Sequence, residues 1–245
     1  MFSPLARLMI IMGVEKDMVR DISYALCESV GNLVKVKTRQ SVSIAAKYLN
    51  LGEVIAVPTD TVYGIAASSK CPEAVSKVYE IKKRDVKKPL AICVSKVSDI
   101  KHLGEVEHLD NELLGSLLPG AVTVVLKRKP SLESYINPST DLIGIRIPDN
   151  FFIKRLMTLC NAPIILTSAN LSFEPSALAV DEFSHLWPQL KAVFDAGPLG
   201  YNLSQRIGST VVDLSEAGYF TILRAGISFE ETVLTLKKFN LKLKL

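Results

Sequence analysis

Four short polar strings stand at the ends of apolar runs, and their side chains are the ones in this sequence that could do chemistry. Pro58-Thr59-Asp60-Thr61-Val62-Tyr63-Gly64 follows the apolar run Val54 to Val57. Thr167-Ser168-Ala169-Asn170 follows Ile164 to Leu166, and Arg206-Ile207-Gly208-Ser209-Thr210 leads into Val211-Val212. The fourth string is Gly144-Ile145-Arg146-Ile147-Pro148. Hydroxyls, amides and a guanidinium at strand ends are suited to orienting a small polar ligand with several donors and acceptors. Thr59, Asp60 and Thr61, like Ser168 and Asn170, also fit a plain turn or helix cap. Arg146 is harder to explain as scaffold. It sits within the apolar run Ile143 to Ile147, where an unpaired charge would cost several kcal/mol, so it needs an anionic partner. That partner is either a protein carboxylate or the anion of a ligand, and a guanidinium fork suits a carboxylate well.

A second source of charge is the stretch holding Lys77, Lys82, Lys83, Arg84, Lys87 and Lys88, diluted by Glu80 and Asp85. It reads either as a solvated helix face or as an anion site. No Walker-type glycine loop and no G-x-G-x-x-G string occurs. A bound nucleotide would therefore be held by lysine and arginine side chains rather than by a glycine cradle. His102, His108 and His185 lie outside all four polar strings, and no Ser-His-Asp set is visible. Any catalysis would rest on positioning and electrostatics.

The elements that must carry these residues alternate. Helical spacing is expected over Glu15–Val30, Ser41–Leu51, Pro72–Lys83, Asp110–Leu118, Asn150–Cys160 and Phe229–Phe239. Strands are expected at Leu33–Lys37, Val54–Val57, Leu90–Val94, Ala121–Leu126, Ile143–Ile147, Ile164–Leu166, Ala192–Phe194, Thr210–Asp213 and Phe220–Leu223, with a further element at Asp181–Trp187. The link from Thr210–Asp213 to Phe220–Leu223 is too short for a crossover, so that pair must run antiparallel if the strands are neighbours. The expected fold is α/β: a twisted sheet of mixed parallel and antiparallel strands with flanking helices. Residues 1–40 read as an N-terminal extension and 41–240 as one domain.

Composition narrows the function classes. The 245 residues are 48% hydrophobic and 22% charged with a net charge of +4, which suits a globular core and not a disordered chain. No charge-free apolar run reaches the length of a membrane-spanning helix. Cys27, Cys71, Cys93 and Cys160 are scattered, without zinc-ligand or disulfide spacing, which favours a reducing compartment. The expected location is the cytoplasm, with a mitochondrial pool if Met1–Val14 serves as part of an import presequence.

Taken in order, the strings resemble the YrdC-type threonylcarbamoyl-AMP synthases. The matching segments are Pro58 to Gly64, Lys82-Lys83-Arg84 with Lys88-Pro89-Leu90, Leu118-Pro119-Gly120 with Thr123, Gly144 to Pro148, Thr167 to Asn170, Gly208 to Asp213, and Leu223-Arg224 with Gly226. The resemblance spans about residues 40 to 240. Leu186-Trp187-Pro188-Gln189-Leu190 and the ending soon after Gly226 are similar to the single-domain animal forms. The resemblance implies an open, basic concave face on the mixed sheet. It implies a nucleotidyltransferase that joins L-threonine, bicarbonate and ATP into L-threonylcarbamoyladenylate with release of pyrophosphate. The product would supply the threonylcarbamoyl group for tRNA adenosine modification beside the anticodon, through a separate transferase complex. Little or no direct tRNA binding is then expected.

On that pattern Thr59, Thr61, Arg146 and Ser168 would bind threonine, and Lys82, Arg84, Lys88, Asn170, Ser209 and Arg224 would bind the nucleotide. Mg2+ would arrive with ATP, no protein side chain is assigned as metal ligand, and no protein nucleophile or general base is assigned. Four positions depart from the family pattern: Ala121 and Ala225 replace Pro, Phe173 replaces Gly, and Cys93 stands where some relatives have His. Two other classes compete. One is a double-stranded RNA or tRNA binding module without its own chemistry, which a basic concave face would also suit. The other is a regulatory or scaffold protein that keeps an amino-acid pocket without turnover.

Overall fold

In the computed structural model, which describes residues 29–30, 32–36 and 39–244, one sheet carries every strand. Its order is β1-β2-β9-β3-β4-β8-β5-β7-β6-β10-β11-β12. The strands are β1 (Ser29–Val30), β2 (Leu33–Lys35), β3 (Ile55–Val57), β4 (Gly64–Ser68), β5 (Ala91–Cys93), β6 (Val122–Lys127), β7 (Leu142–Arg146), β8 (Ile164–Ser168), β9 (Ala192–Asp195), β10 (Thr210–Asp213), β11 (Tyr219–Arg224) and β12 (Lys242–Leu243). Parallel pairs such as β5–β7 and β6–β10 alternate with antiparallel ones such as β4–β8 and β6–β7, so the sheet is mixed as expected. β10 and β11 pair antiparallel, as their short link requires.

The helices are α1 (Arg39–Asn50), α2 (Pro72–Ile81), α3 (Leu113–Leu117), α4 (Phe151–Leu159) and α5 (Phe229–Lys238). Strand alternation sends neighbouring residues to opposite faces. Along β3, Val54 and Ala56 join one apolar core with α2 and α3, while Ile55 and Val57 join a second with α1 and α4. The second core covers the β9-β3-β4-β8 part of its face and reaches Cys93 at the edge of β5. Over β5, β7, β6 and β10 that face carries Ala91, Cys93, Leu142, Gly144, Arg146, Thr123, Val125, Ser209 and Val211, and it lines an open hollow. Their sequence neighbours Ile92, Ile143, Ile145, Val122, Val124 and Val212 point into the first core.

Three expectations need correction. Ser29–Val30, the end of the expected helix Glu15–Val30, is a strand paired with Leu33–Val34, and the rest of that segment lies outside the described residues. The helix expected over Pro72–Lys83 stops at Ile81, because Lys83 takes a left-handed backbone (φ +46°). The helix expected over Asp110–Leu118 begins only at Leu113, since the Asp110 carboxylate instead accepts from the Glu112 amide in a turn. The element expected at Asp181–Trp187 is present as a 3-10 segment spanning Val180–Gln189.

Candidate functional site

The polar string after β3 folds back on itself. The Thr59 hydroxyl accepts from the amides of Thr61 (3.0 Å) and Val62 (3.2 Å) and donates to the Val62 carbonyl (2.7 Å). It is therefore a turn of the kind its composition allows, and also one wall of the hollow, since Thr59 and Thr61 both line it. Asn150, the N-cap of α4, accepts from the Ile153 amide and donates to the Thr59 carbonyl (3.2 Å). That fixes the string against the end of β7, where Arg146 stands.

Arg146 has found a protein partner. Its Nη2 donates to Asp60 Oδ1 (2.5 Å) and to the Thr61 hydroxyl (3.2 Å), with both ion-pair side chains about nine-tenths buried. Its Nε is buried and has no hydrogen-bond partner among the described residues. Thus Arg146 answers to a carboxylate of the chain and still holds an unspent donor while lining the hollow.

The opposite end is built by β6, β10 and β11. The Thr123 and Ser209 hydroxyls are 2.9 Å apart. Arg224 donates through Nε and Nη2 to the Ser209 carbonyl (3.1 and 2.8 Å) and through Nη2 to its hydroxyl (3.1 Å). The chain can cross this point only as glycine. A Cβ on Gly226 would lie 2.2 Å from the Ser209 carbonyl carbon, and Gly208 holds a positive φ of 69° beside Arg224.

Between the two ends lies a cavity of about 450 Å3. Among the described residues its charged lining is Arg84, Lys87, Arg146 and Arg224, with no carboxylate. Burial lowers the pKa of Arg84, and burial followed by repulsion from Arg146 and Arg84 lowers that of Arg224. Crowded cations of this kind favour an anionic guest. Cys93 lines the same cavity, but burial pushes its thiol up to about 12, so it stays neutral and is no nucleophile.

Seven of the ten expected site residues meet here: Thr59, Thr61, Arg146, Ser168, Arg84, Ser209 and Arg224. Lys82, Lys88 and Asn170 do not line the cavity. Lys82 is folded under the Thr167–Asn170 string, its ammonium donating to the carbonyls of Ser168 (2.5 Å) and Asn170 (2.7 Å). Asn170 spends its amide on the carbonyls of Leu171 and Glu174 (both 2.7 Å). Lys88 sits 3.6 Å from the ring centre of Phe173, which is 92% exposed and held at φ +75°. The structure adds Lys87, Thr123, Thr140 and Ser176 to the lining. Thr123 stood in the sequence only as part of a segment matching the family, without a site role, whereas Thr140 and Ser176 come from loops without a periodic signal.

A mixed sheet with helices on both sides and a cationic, hydroxyl-rich hollow over its middle defines an α/β protein whose hollow is suited to a small anionic ligand. The Sua5/YciO/YrdC family, whose model carries the description "Telomere recombination", matches residues 47–226, and the chain belongs to that family. It is 45% identical over 204 residues to the threonylcarbamoyl-AMP synthase of Bos taurus, covering 82% of this chain and 74% of the bovine one. The structure of P. abyssi Sua5 complexed with L-threonine superposes with a TM-score of 0.74 at 26% identity, over 88% of this chain and 63% of that one. E. coli YciO, at 19% identity, shares the fold with a TM-score of 0.71 over 81% of this chain and 97% of its own.

Proposed function

We propose that the protein is a threonylcarbamoyl-AMP synthase, a nucleotidyltransferase of tRNA modification. It joins L-threonine, bicarbonate and ATP into L-threonylcarbamoyladenylate, releasing pyrophosphate and water. The observation that carries this reading is the cavity lining: among the described residues, four cations and no carboxylate between a hydroxyl-rich end at Thr59 and Thr61 and a second at Thr123 and Ser209. The Arg146 end takes threonine, its guanidinium meeting the amino-acid carboxylate and Thr59, Thr61 and Ser168 shaping the hydroxyl side. The Arg224 and Ser209 end takes the nucleotide, with Arg84 and Lys87 facing the triphosphate.

The threonine amine attacks the carbon of bicarbonate, a C–O bond breaks, and the hydroxyl leaves as water with a proton from the amine, giving an N-carboxy group. An oxygen of that group then attacks the α-phosphorus, and the bond to the pyrophosphate oxygen breaks. Such a transfer needs positioning and charge neutralisation more than a protein nucleophile, which agrees with a neutral Cys93. The lining among the described residues offers hydroxyls and no carboxylate, so Mg2+ would enter on the phosphate oxygens of ATP, where it would lower their charge. Lys82 and Asn170 support the Ser168 string from behind and do not touch the nucleotide. Lys88, engaged by Phe173, reaches the triphosphate only by leaving that ring.

The binding-module reading is weakened by the same geometry. Lys82 turns inward onto backbone carbonyls, and Arg84, at the cavity wall, bonds those of Lys88 (3.1 Å) and Pro89 (2.9 Å), so the two do not form a continuous basic face for a duplex. Transfer to tRNA then falls to a separate complex that receives the adenylate. Among the described residues no helix is long and apolar enough to cross a membrane. A cytoplasmic protein with a mitochondrial pool, and a catalytic unit over 41–240, complete the proposal.

Paired substitutions test the division of the cavity. Losing one partner of a desolvated charge pair costs roughly 2–5 kcal/mol, so Arg146→Ala should raise the threonine KM about 30-fold or more. Arg224→Ala should raise the ATP KM instead. The reverse pattern would mean that the two ends are exchanged, and no change in either would remove the assignment.

A further inference from the structure

We infer that Asp60 is a positioning residue for the amino-acid end of the site, setting the orientation and charge of Arg146 from behind. The inference rests on the reading that Arg146 meets the threonine carboxylate. Asp60 itself is not among the cavity-lining residues, whereas Arg146 and Thr61 on either side of its contacts are. One Asp60 oxygen accepts from Arg146 Nη2 at 2.5 Å, and the other accepts from the Asp149 amide at 2.9 Å. The carboxylate therefore clamps the loop after β3 to the turn between β7 and α4, with the guanidinium held between the clamp and the cavity.

The two hydrogens of Nη2 are spoken for by Asp60 and the Thr61 hydroxyl. The Nε hydrogen is not: that atom is buried and unpartnered among the described residues. A buried donor left open is costly unless something fills it in use. A buried arginine with no counter-charge would also be costly whenever the site is empty. Asp60 removes the second cost without occupying the cavity, and by taking Nη2 it leaves Nη1, unbonded among the described residues, as the donor for a guest carboxylate. In this arrangement Asp60 lets Arg146 wait, charged and oriented, for a ligand. It acts through Arg146 and touches no substrate.

A structural clamp and a positioning residue differ in one readout. If Asp60 acts through Arg146, it matters for ligands with a carboxylate and matters little for ligands without one. The probe is the ratio of affinities for L-threonine and L-threoninamide, measured by calorimetry on the full chain. The wild-type protein should prefer threonine strongly. Asp60→Asn keeps an acceptor for the Asp149 amide but drops the charge, and it should weaken threonine about tenfold while leaving threoninamide within about twofold, on the scale of coupled neighbouring side chains. In an Arg146→Ala background the same substitution should change the ratio no further. Should Asp60→Asn fail to fold, Asp60→Glu, which shifts the carboxylate by one methylene, is read by the same ratio.

Equal weakening of both ligands, or a tighter grip on threonine, would overturn the positioning role while leaving the functional reading intact. A wild-type protein that fails to distinguish threonine from its amide would instead remove the assignment of Arg146, and this inference with it.

Discussion

Replacing Lys82 by methionine tests whether a buried amine supports the site from beneath. Lys82 is 1% exposed, and its ammonium holds the carbonyls of Ser168 and Asn170. Burial, followed by repulsion from Arg84, lowers its pKa to about 7. In the unfolded chain the same amine titrates near about 10.4. Between those values the unfolded chain binds more protons than the folded one, so stability rises with pH across that window. Below the folded value both states are charged, and the burial cost is fully felt.

The steepest slope a single group allows is about 1.36 kcal/mol per pH unit, so going from about pH 7.5 to about pH 9.5 adds at most about 2.7 kcal/mol. The two carbonyls favour the charged amine and hold the gain below that bound. Cys93 and Cys160 act in the opposite sense, because burial raises their thiols to about 12 and about 11 and they keep protons that the unfolded chain loses. Subtracting the Lys82→Met curve from the wild-type curve cancels these shared contributions. The variant, which leaves two carbonyls without their donor, should start roughly 2 kcal/mol or more below wild type near neutral pH. Urea unfolding should then show the gap widening by about 1–2 kcal/mol towards about pH 9.5, with unchanged slopes against denaturant. A gap that stays constant or narrows would refute a buried lysine of depressed pKa at this position.

Two further outcomes follow from backbone geometry. Phe173 holds φ +75° and is almost fully exposed, so Phe173→Gly should be more stable than Phe173→Ala by about 1 kcal/mol in urea unfolding; equal stabilities would mean that the left-handed turn is not kept in solution. Gly226→Ala places a methyl 2.2 Å from backbone at Ser209, and it should cost about 2 kcal/mol or more and weaken ATP binding more than threonine binding. A variant with wild-type stability would show that the strand β11 and Ser209 do not approach so closely.

The sequence made Arg146 legible because a charge in an apolar strand demands a partner, and strand period alone then predicts which neighbours share its face. What it could not say is which partner. Asp60 lies 86 positions away, and only the pairing of the loop after β3 with the turn after β7 brings them together. β4 was missed because Gly64–Ser68 is short and mostly small residues; it becomes a strand by pairing between β3 and β8, where Gly64 packs against Leu166 too closely for a side chain. The lysine cluster was visible, but not its directions. A left-handed residue at Lys83 separates Lys82, turned inward, from Lys87, which lines the cavity, and a single residue of positive φ without glycine leaves no mark in the pattern.

Pyrophosphate release, followed with L-threonine, bicarbonate and ATP each omitted in turn, tests the proposed chemistry most directly. The proposed reaction requires release with all three present and background levels when any one is withheld. Release from ATP that is indifferent to threonine, or none with the full set, would contradict it.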